Sequence, residues 1–349
     1  MFNTDIFDYR DPIYGLMVIV AFIFVASFIT YTIGIYKERV SRKEYRKLLK
    51  RFELGTLKED DYIHLYNTYN LPFDSIILLA SSFLHKGENN KAISVYLALL
   101  ELVNEPVKKE ELLELLGKTY FKSGMLQRSK DIYLKILKFR PRNKNALRYL
   151  LLIFQNLKEY RRALEVLDAL DEIEEDIEFE RLYLIVLEVM DDSILSFEKK
   201  STILYDKYLL DNKLERLVVS FLIKFNKELF WNNIEKFNYL NIIDTLWYLD
   251  FDDINWDKVS DINLLQEIYS AKGYISDKKD SNIFELNVLI ATKNSTTKTA
   301  IDLNFEFICK SCKKNHPIYE SRCPHCHEIL TLKVEPKLGK SLSDMASFV

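Results

Sequence analysis

The chain has 349 residues, of which 48% are hydrophobic, with a formal net charge of −3 and a sequence pI of about 6.1. This charge balance argues against a nucleic-acid-binding surface over the chain as a whole. Only 8 glycines are present, and the sequence contains no glycine-rich phosphate loop, nucleophile elbow or zinc-protease motif. Because no nucleophile–base pair can be assembled from the residues, we predict that the protein is not an enzyme.

The N-terminal region predicts one transmembrane helix. Residues 12–36 contain no charged side chain and no histidine, whereas residues 1–11 carry Asp5, Asp8 and Asp11. At about 1.5 Å per residue this helix spans about 37 Å, which exceeds a hydrocarbon core of about 30 Å. A cleaved signal peptide is the main alternative, but it requires a basic start and a shorter apolar stretch. We therefore expect residues 12–36 to remain as an anchor.

The residues after the span predict its orientation. Residues 37–56 are expected to form a basic juxtamembrane helix. Its basic residues, opposed near the span only by Glu38 and Glu44, are Lys37, Arg39, Arg42, Lys43, Arg46, Lys47, Lys50 and Arg51. Basic flanks stay on the cytoplasmic side of a membrane and favour contact with anionic lipid. We therefore expect residues 1–11 to be a short extracytoplasmic N-terminus and the bulk of the chain to be cytoplasmic.

Residues 57–274 predict helical repeats of tetratricopeptide type. One set of offsets recurs in three units, with a first step of 37 residues and a second of 34. The corresponding positions are Ala80, Phe83, Ala92, Tyr96 and Leu99, then Gly117, Tyr120, Ser129, Tyr133 and Ile136, then Leu151, Phe154, Ala163, Leu167 and Leu170. Small residues allow close helix crossings, so Leu151 indicates a looser crossing in the third unit. Stacked helix pairs of this kind present a surface suited to holding a peptide or another protein.

Residues that form turns or end helices are placed in agreement with this repeat. Gly87 and Gly124 fall at corresponding turns, and Pro141 follows the second unit where a helix must stop.

Aromatic residues concentrate between residues 230 and 256, which indicates either core packing between helices or a hydrophobic docking site. These residues are Phe230, Trp231, Phe237, Tyr239, Trp247, Tyr248, Phe251 and Trp256.

The β-branched residues of 275–304 indicate a linker or short strand.

Residues 305–336 predict a metal-binding module. All four cysteines of the chain lie there, as two C-x-x-C pairs separated by ten residues: Cys309, Cys312, Cys323 and Cys326. This spacing is typical of a tetrahedral four-thiolate site for one zinc or iron ion. A reducing cytoplasm favours metal thiolates over the alternative of two disulfides.

Other residues near the cysteines leave alternatives open. His316, His325 and His327 are the only credible alternative ligands, whereas His64 and His85 lie on helical stretches. The module is locally basic at Lys310, Lys313, Lys314 and Arg322, but we expect no nucleic-acid partner. Residues 337–349 are expected to be a flexible tail.

The order of these parts resembles the lipopolysaccharide assembly protein B (LapB) family of the bacterial inner membrane. The local resemblance lies in Phe307-Ile-Cys-Lys-Ser-Cys and Arg322-Cys-Pro-His-Cys, followed by a Thr-Leu-Lys stretch and Pro336. Two positions depart from the family pattern: Lys313 replaces a glycine, and Ile329 replaces an aromatic.

The resemblance implies a fold, partners and a place in the cell. The expected fold class is all-α, with a transmembrane helix, a tetratricopeptide-like α-solenoid and a small rubredoxin-like or zinc-ribbon module packed on the repeats. It implies a single-pass inner-membrane adaptor that promotes proteolysis of the lipid A deacetylase by an FtsH-type protease. Other inner-membrane proteins and membrane lipid are further expected partners. Two alternatives remain: a general scaffold for another inner-membrane assembly, and a membrane-tethered iron–tetrathiolate protein that transfers electrons.

Overall fold

The structure is a computed structural model that describes most of the chain. The described residues are 12–53, 61, 72–173, 176–275, 280–293 and 301–340. Several predictions fall outside them, namely those for residues 1–11, for His64 and for residues 341–349. The chain divides into two compact units, Met1–Tyr149 and Leu150–Val349, and the boundary falls within one helix.

A single long helix, α1 (Pro12–Glu53), contains both the predicted span and most of the basic juxtamembrane segment. Its segment Leu16–Lys37 has a mean hydropathy of 2.5 and is not buried against the rest of the described chain. It is the one described helix long and apolar enough to cross a membrane. The basic segment therefore continues the apolar one without a break in the backbone.

The first unit continues with helices joined by short turns, and the first four of them pack each against the next. These helices are α2 (Phe73–His85), α3 (Asn89–Leu102), α4 (Pro106–Lys122) and α5 (Leu126–Phe139), followed by α6 (Lys144–Asn156), which crosses into the second unit. α5 ends two residues before Pro141, as the sequence predicts. His85 is the last residue of α2.

The turns within the three repeat units share one backbone geometry. Gly87 and Gly124 have positive φ angles of 77° and 73°, and Lys158 takes the corresponding place with a φ of 59°. In each turn an amide donates to the carbonyl five residues earlier, from Glu88 to Phe83, from Met125 to Tyr120 and from Glu159 to Phe154, at 2.8–2.9 Å. Such a left-handed residue satisfies the last carbonyls of a helix. The repeat therefore fixes the turn conformation even where it lacks the glycine that adopts it most easily.

The close crossing of α4 and α5 depends on Gly117. A methyl group at this position would lie 2.9 Å from the Tyr133 ring, which itself stacks on Tyr149 at a centroid distance of 4.9 Å. The Ser129 hydroxyl of α5 donates to the Gly117 carbonyl at 2.8 Å in the same buried place. The small residues of the sequence pattern thus lie where two helices cross, as predicted.

The second unit consists of shorter helices that also pack on their neighbours. They are α7 (Tyr160–Asp171), α8 (Glu178–Asp191), α9 (Phe197–Leu210), α10 (Glu215–Phe225), α11 (Lys227–Asn232), α12 (Ile243–Trp247), α13 (Trp256–Asp261), α14 (Asn263–Lys272) and α15 (Phe284–Lys293). Three short 3₁₀ turns connect some of them, at Asn212–Leu214, Ile234–Lys236 and Phe251–Asp253. The expected fold class, helical with a small C-terminal four-cysteine module, is confirmed.

The region 275–304 differs from the expected linker or short strand. It contains α15, which packs on α14, and the first residues of a strand. Gly273, with a φ of 88°, ends α14, and the Tyr274 amide donates to the Tyr269 carbonyl at 2.9 Å. The helical part of the chain thus extends past residue 274, because α15 packs on α14, which ends with the same left-handed geometry as the repeat helices.

A three-stranded antiparallel sheet, ordered β2-β1-β3, forms the C-terminal module. Its strands are β1 (Ile301–Cys309), β2 (Asn315–His316) and β3 (Leu332–Lys340). β1 and β3 pair along their whole length, from Ile301 opposite Lys340 to Cys309 opposite Leu332. The module therefore extends beyond the expected 305–336 at both ends, and the part of the expected tail up to Lys340 is strand. Alternate residues of β1 are buried, so that one face of the sheet packs on α12 and α15.

Half of the eight clustered aromatic side chains are core residues. Phe230, Trp231, Phe237 and Trp247 are buried, and the Trp231 indole N–H donates to the Asp253 carbonyl at 3.0 Å. Tyr248 is 60% exposed but contacts Phe305 of β1 edge to face, at a centroid distance of 5.7 Å. Core packing, the first of the two interpretations, accounts for these four buried side chains, whereas Tyr248 and Phe251 remain exposed.

We expect Gly117→Ala to destabilise the first unit by about 1 kcal/mol. Alanine favours a helix over glycine by about 1 kcal/mol, but forcing a methyl group into a packed crossing costs about 1–3 kcal/mol. The added methyl also meets a Tyr133 ring that cannot move without leaving its stack on Tyr149. Urea denaturation followed by circular dichroism measures the change. The neighbouring exposed Lys118→Ala is the control, and an unchanged Gly117→Ala midpoint would contradict this account.

Candidate metal centre

The first cysteine pair forms a tight turn at the end of β1. The Lys313 amide donates to the Cys309 carbonyl at 2.9 Å, and the Cys309 amide donates to the Lys314 carbonyl at 3.0 Å. The Cys312 amide points at the Cys309 sulfur, 3.5 Å away. Lys313 has a φ of 59°, the left-handed conformation that glycine adopts most easily. The residue after the first C-x-x-C pair is thus left-handed although it is a lysine.

The second cysteine pair repeats this geometry. The His327 amide donates to the Cys323 carbonyl and the Cys323 amide donates to the Glu328 carbonyl, both at 2.9 Å. His327 has a φ of 63°, so it corresponds to Lys313 of the first turn. Two turns of the same construction, each offering two sulfurs, therefore face one another.

The four sulfurs lie where a single tetrahedral ion would need them. Each pair across the two turns, Cys309 with Cys326 and Cys312 with Cys323, has its sulfurs 3.7 Å apart. All four sulfur atoms lie within 4.8 Å of one another. Four sulfurs at about 2.3 Å from zinc in tetrahedral geometry lie about 3.8 Å from each other. The donor set and its spacing therefore fit one zinc or iron ion, and both metals accept four thiolates.

Polar groups around the sulfurs favour the thiolate form at one cysteine. Burial raises the pKa of the Cys309 thiol, but hydrogen bonds from the Thr331 hydroxyl and from the amides of Cys312 and Ser311 outweigh it and lower the pKa to about 6. The Thr331 oxygen lies 3.2 Å from the Cys309 sulfur. Burial raises the pKa of Cys326 to about 12. A bound cation would offset the repulsion among four thiolates that the protein alone does not compensate.

The three histidines near the cysteines take different places. His316 lies on β2, and its Nε2 atom is 3.5 Å from the Cys323 sulfur, at the distance of a hydrogen bond to sulfur. Among the described residues, the close group of potential ligand atoms consists of the four cysteines alone. His327 serves the second turn through its backbone, and His325 lies exposed between Pro324 and Cys326.

Arg322, next to Cys323, anchors the module to the helices of the second unit. Its guanidinium donates to the Glu180 carboxylate at 2.7 Å and to the Gln155 side-chain oxygen at 2.9 Å. A third bond runs to the His327 carbonyl at 2.8 Å, within the second cysteine turn. Both side chains of the Arg322–Glu180 pair are largely buried, at 13% and 10% exposed. One side chain thus links two helices to the turn that carries two predicted ligands.

Tyr183 completes this contact. It lies below the Arg322 guanidinium, whose carbon is 5.6 Å from the ring centroid. Its hydroxyl accepts from the Gln155 amide at 3.1 Å and shares a hydrogen bond of 2.8 Å with the Ser321 hydroxyl. Burial raises the pKa of Tyr183, so it remains a neutral phenol. Every polar group named here has a partner, as a buried polar contact requires.

A second arginine makes a similar contact from the helical side. Arg216 of α10 lies over the Tyr319 ring of the module, 4.0 Å from its centroid, and 5.5 Å from that of Phe307. It also pairs with Asp244, with both side chains about 10% exposed. Because its charge is paired with Asp244 on the helical side, its flat face is available to the aromatic rings.

The sequence predicted the cysteines but not this contact surface. In the sequence Arg322 groups with the lysines of a locally basic module, whereas in the fold its charge is neutralised by Glu180. Glu180 and Gln155 carry no motif and lie far from Arg322 in the chain. The resemblance implied a module packed on the repeats, but which residues meet depends on the tertiary structure alone.

These features define a tetratricopeptide-like helical-repeat protein with one long apolar N-terminal helix and a C-terminal four-cysteine module. No protein-family model matches the chain, and no curated protein matches it.

Several solved structures resemble the chain at low identity. MamA from residue 41 onward, of Desulfovibrio magneticus RS-1, is 19% identical, covering 58% of this chain and 97% of its own, with a TM-score of 0.32. A tetratricopeptide repeat protein from Parabacteroides merdae is 18% identical, with 62% and 83% coverage and a TM-score of 0.36. BtubC from P. vanneervenii is 15% identical, with 67% and 96% coverage and a TM-score of 0.31. At scores this low, no activity or partner is taken from these proteins.

We expect Cys323→Ser to lose the bound metal and to destabilise the C-terminal module. A four-thiolate site contributes free energy of folding directly, and a serine hydroxyl is a poor replacement for a buried thiolate. Metal per chain, measured by atomic emission on the purified full-length protein, should fall from about one toward zero. The control is Ser311→Ala, in the first turn but outside the sulfur group. A Cys323→Ser protein with a full metal content would contradict the ligand assignment.

We expect Arg322→Met to destabilise the second unit by about 3–5 kcal/mol, because it removes the cation from a buried carboxylate. The double variant Arg322→Met with Glu180→Met should regain the part of this loss that comes from the unpaired carboxylate, but not the part from the Gln155 and His327 oxygens, which still lack their donor. The matched control is Arg181→Met, which breaks the more exposed pair with Asp168 and should cost less than about 1 kcal/mol. Free energies of unfolding from urea denaturation measure all three. Equal losses for Arg322→Met and Arg181→Met would show that Arg322 does not anchor the module.

Proposed function

We propose that the protein is a membrane-anchored, non-catalytic adaptor that holds other proteins on its helical repeats. The observation that carries this proposal is the architecture: an exposed apolar helix, helix pairs of tetratricopeptide type and a four-cysteine module tied to the helices by a buried arginine. Each of these parts supports the binding and positioning of partner proteins.

The anchor is the segment Leu16–Lys37 of α1. Its 22 residues, extended by the apolar residues before it, suffice to cross a hydrocarbon core of about 30 Å. The basic run that continues the same helix favours a cytoplasmic location for the repeats and the module. In this proposal the compartment is the cytoplasmic side of a bacterial inner membrane.

The metal centre has a structural role in this proposal. Cys309, Cys312, Cys323 and Cys326 would hold one zinc or iron ion, which supplies a four-way crosslink between two turns that have no large core of their own. Because Arg322 belongs to the second turn, the order of that turn and the position of α8 support one another. The module would thereby fix the surface of the last helices.

The particular pathway follows from the resemblance to the LapB family. We propose that the adaptor promotes turnover of the lipid A deacetylase by an FtsH-type membrane protease, and so limits lipopolysaccharide synthesis. The cysteine motifs and the domain order support this assignment. A scaffold for another inner-membrane assembly has the same architecture and differs only in its partners.

A second candidate function is electron transfer through an iron centre. The observation that favours it is the hydrogen bonding around the Cys309 sulfur, since such bonds tune the potential of iron–thiolate sites. It requires a reversible one-electron signal from the purified protein. A protein that contains only zinc, which has no redox chemistry, would exclude it.

The half-life of the lipid A deacetylase tests the adaptor proposal. In cells depleted of this protein we expect the deacetylase to persist, and Cys323→Ser should fail to restore its turnover because the module loses its metal. Pulse-chase labelling or immunoblotting after translation arrest gives the half-life. Ser311→Ala is the control and should restore turnover fully. An unchanged half-life on depletion would overturn the proposed pathway and leave the general scaffold.

A further inference from the structure

A cavity of about 460 Å³ lies in the first unit, between the start of α4 and the end of α5. Its floor is apolar and comes from the buried side chains of Leu113 and Ile136. One wall is Phe139, which is 74% exposed although it is a large aromatic residue. Cavities of about 300–1,000 Å³ with apolar linings are the usual size and character of binding pockets. This one is large enough for a bulky side chain and the backbone on either side of it.

The rim of the cavity is positively charged. Lys109 and Lys135 line it, and neither pairs with a carboxylate among the described residues. The third cation, Arg140, pairs with Glu110 at 2.9 Å. Glu110 also accepts a hydrogen bond from the Asn143 side chain at 3.0 Å, so the single carboxylate of the rim is already engaged. The two lysines therefore leave an uncompensated positive field over an apolar floor.

We propose that this cavity binds an acidic peptide segment of a partner protein that inserts one bulky apolar side chain. The apolar floor accounts for the inserted side chain, and the two unpaired lysines account for acidic residues on both sides of it. This inference rests on the proposed adaptor function and adds the place and the chemistry of partner recognition. A nucleic acid would match the charge but not the buried floor of Leu113 and Ile136.

Charge complementarity also predicts how the binding behaves. Exposed lysines act on a partner over about 8–10 Å at moderate salt, so that they accelerate the encounter and set the choice of partner. The contact of an aromatic or aliphatic anchor with Phe139 and the apolar floor supplies the affinity. Binding should therefore weaken as salt rises but not vanish.

Fluorescence anisotropy with defined peptides tests the proposal on the full chain in detergent micelles. The probe is a fluorescein-labelled, end-blocked peptide in which two acidic residues stand on each side of one phenylalanine. One comparison peptide replaces the acidic residues by lysines, and the other replaces the phenylalanine by alanine. We expect the probe to bind at least about tenfold more tightly than either.

Variants of the protein test whether the probe peptide binds in this cavity. The double variant Lys109→Glu with Lys135→Glu should weaken the probe at least about tenfold, and Phe139→Ala should weaken it about fivefold. The matched control is Lys118→Glu, an exposed lysine of α4 outside the cavity. Circular dichroism confirms that each variant is folded. Equal affinity for the three peptides, or an unchanged affinity of the double variant, would overturn the proposal.

Failure of the cavity proposal and failure of the proposed adaptor function give different results. If depletion stabilises the lipid A deacetylase but the double variant binds the probe like the wild type, the adaptor proposal stands and the cavity is not its docking site. If the probe binds as expected while the deacetylase half-life is unchanged on depletion, the cavity is a binding site and the proposed pathway is wrong.

Discussion

The buried guanidinium of Arg322 is the contact on which the C-terminal unit depends. It meets the Glu180 carboxylate, the Gln155 side chain and the His327 carbonyl at once, which requires several donors in a fixed plane. Lysine offers a single charged nitrogen and could not satisfy three acceptors in these directions. Because Arg322 directly precedes Cys323, the position of the second cysteine turn and the packing of α8 are set by the same side chain. A metal in the sulfur group would stabilise both.

The packing of the helical repeats depends on a different constraint, namely how closely two neighbouring helices can approach each other. Gly117 and Ser129 let α4 and α5 approach until the Tyr133 ring fills the space above them. The turns between the helices are equally constrained, since Gly87, Gly124 and Lys158 all adopt a left-handed conformation. A lysine there costs about 1 kcal/mol relative to glycine. That the fold keeps the conformation without glycine shows that helix packing, and not the turn residue, sets the geometry.

Charge is used in opposite ways in the two units. In the second unit Arg216 and Arg322 are buried, paired with carboxylates and stacked on aromatic rings, so their charges hold the structure together. In the first unit Lys109 and Lys135 are exposed beside an apolar cavity, and neither forms an ion pair with a carboxylate of the described residues. A structural charge is recognised by its buried partner, whereas an uncompensated charge at a cavity indicates a partner outside the molecule.

The sequence by itself determined the features that depend on local order along the chain. The apolar run of α1, the repeat of small and aromatic residues and the C-x-x-C spacing are local patterns, and each led to the element the structure contains. It did not reveal α15 or the length of β3, because Phe284–Lys293 has no clear amphipathic pattern and β3 contains Pro336 and Gly339. Only the tertiary structure joined Arg322 to Glu180 and Gln155, more than a hundred residues away. Such pairs depend on how helices and sheet pack, and no spacing in the sequence encodes them.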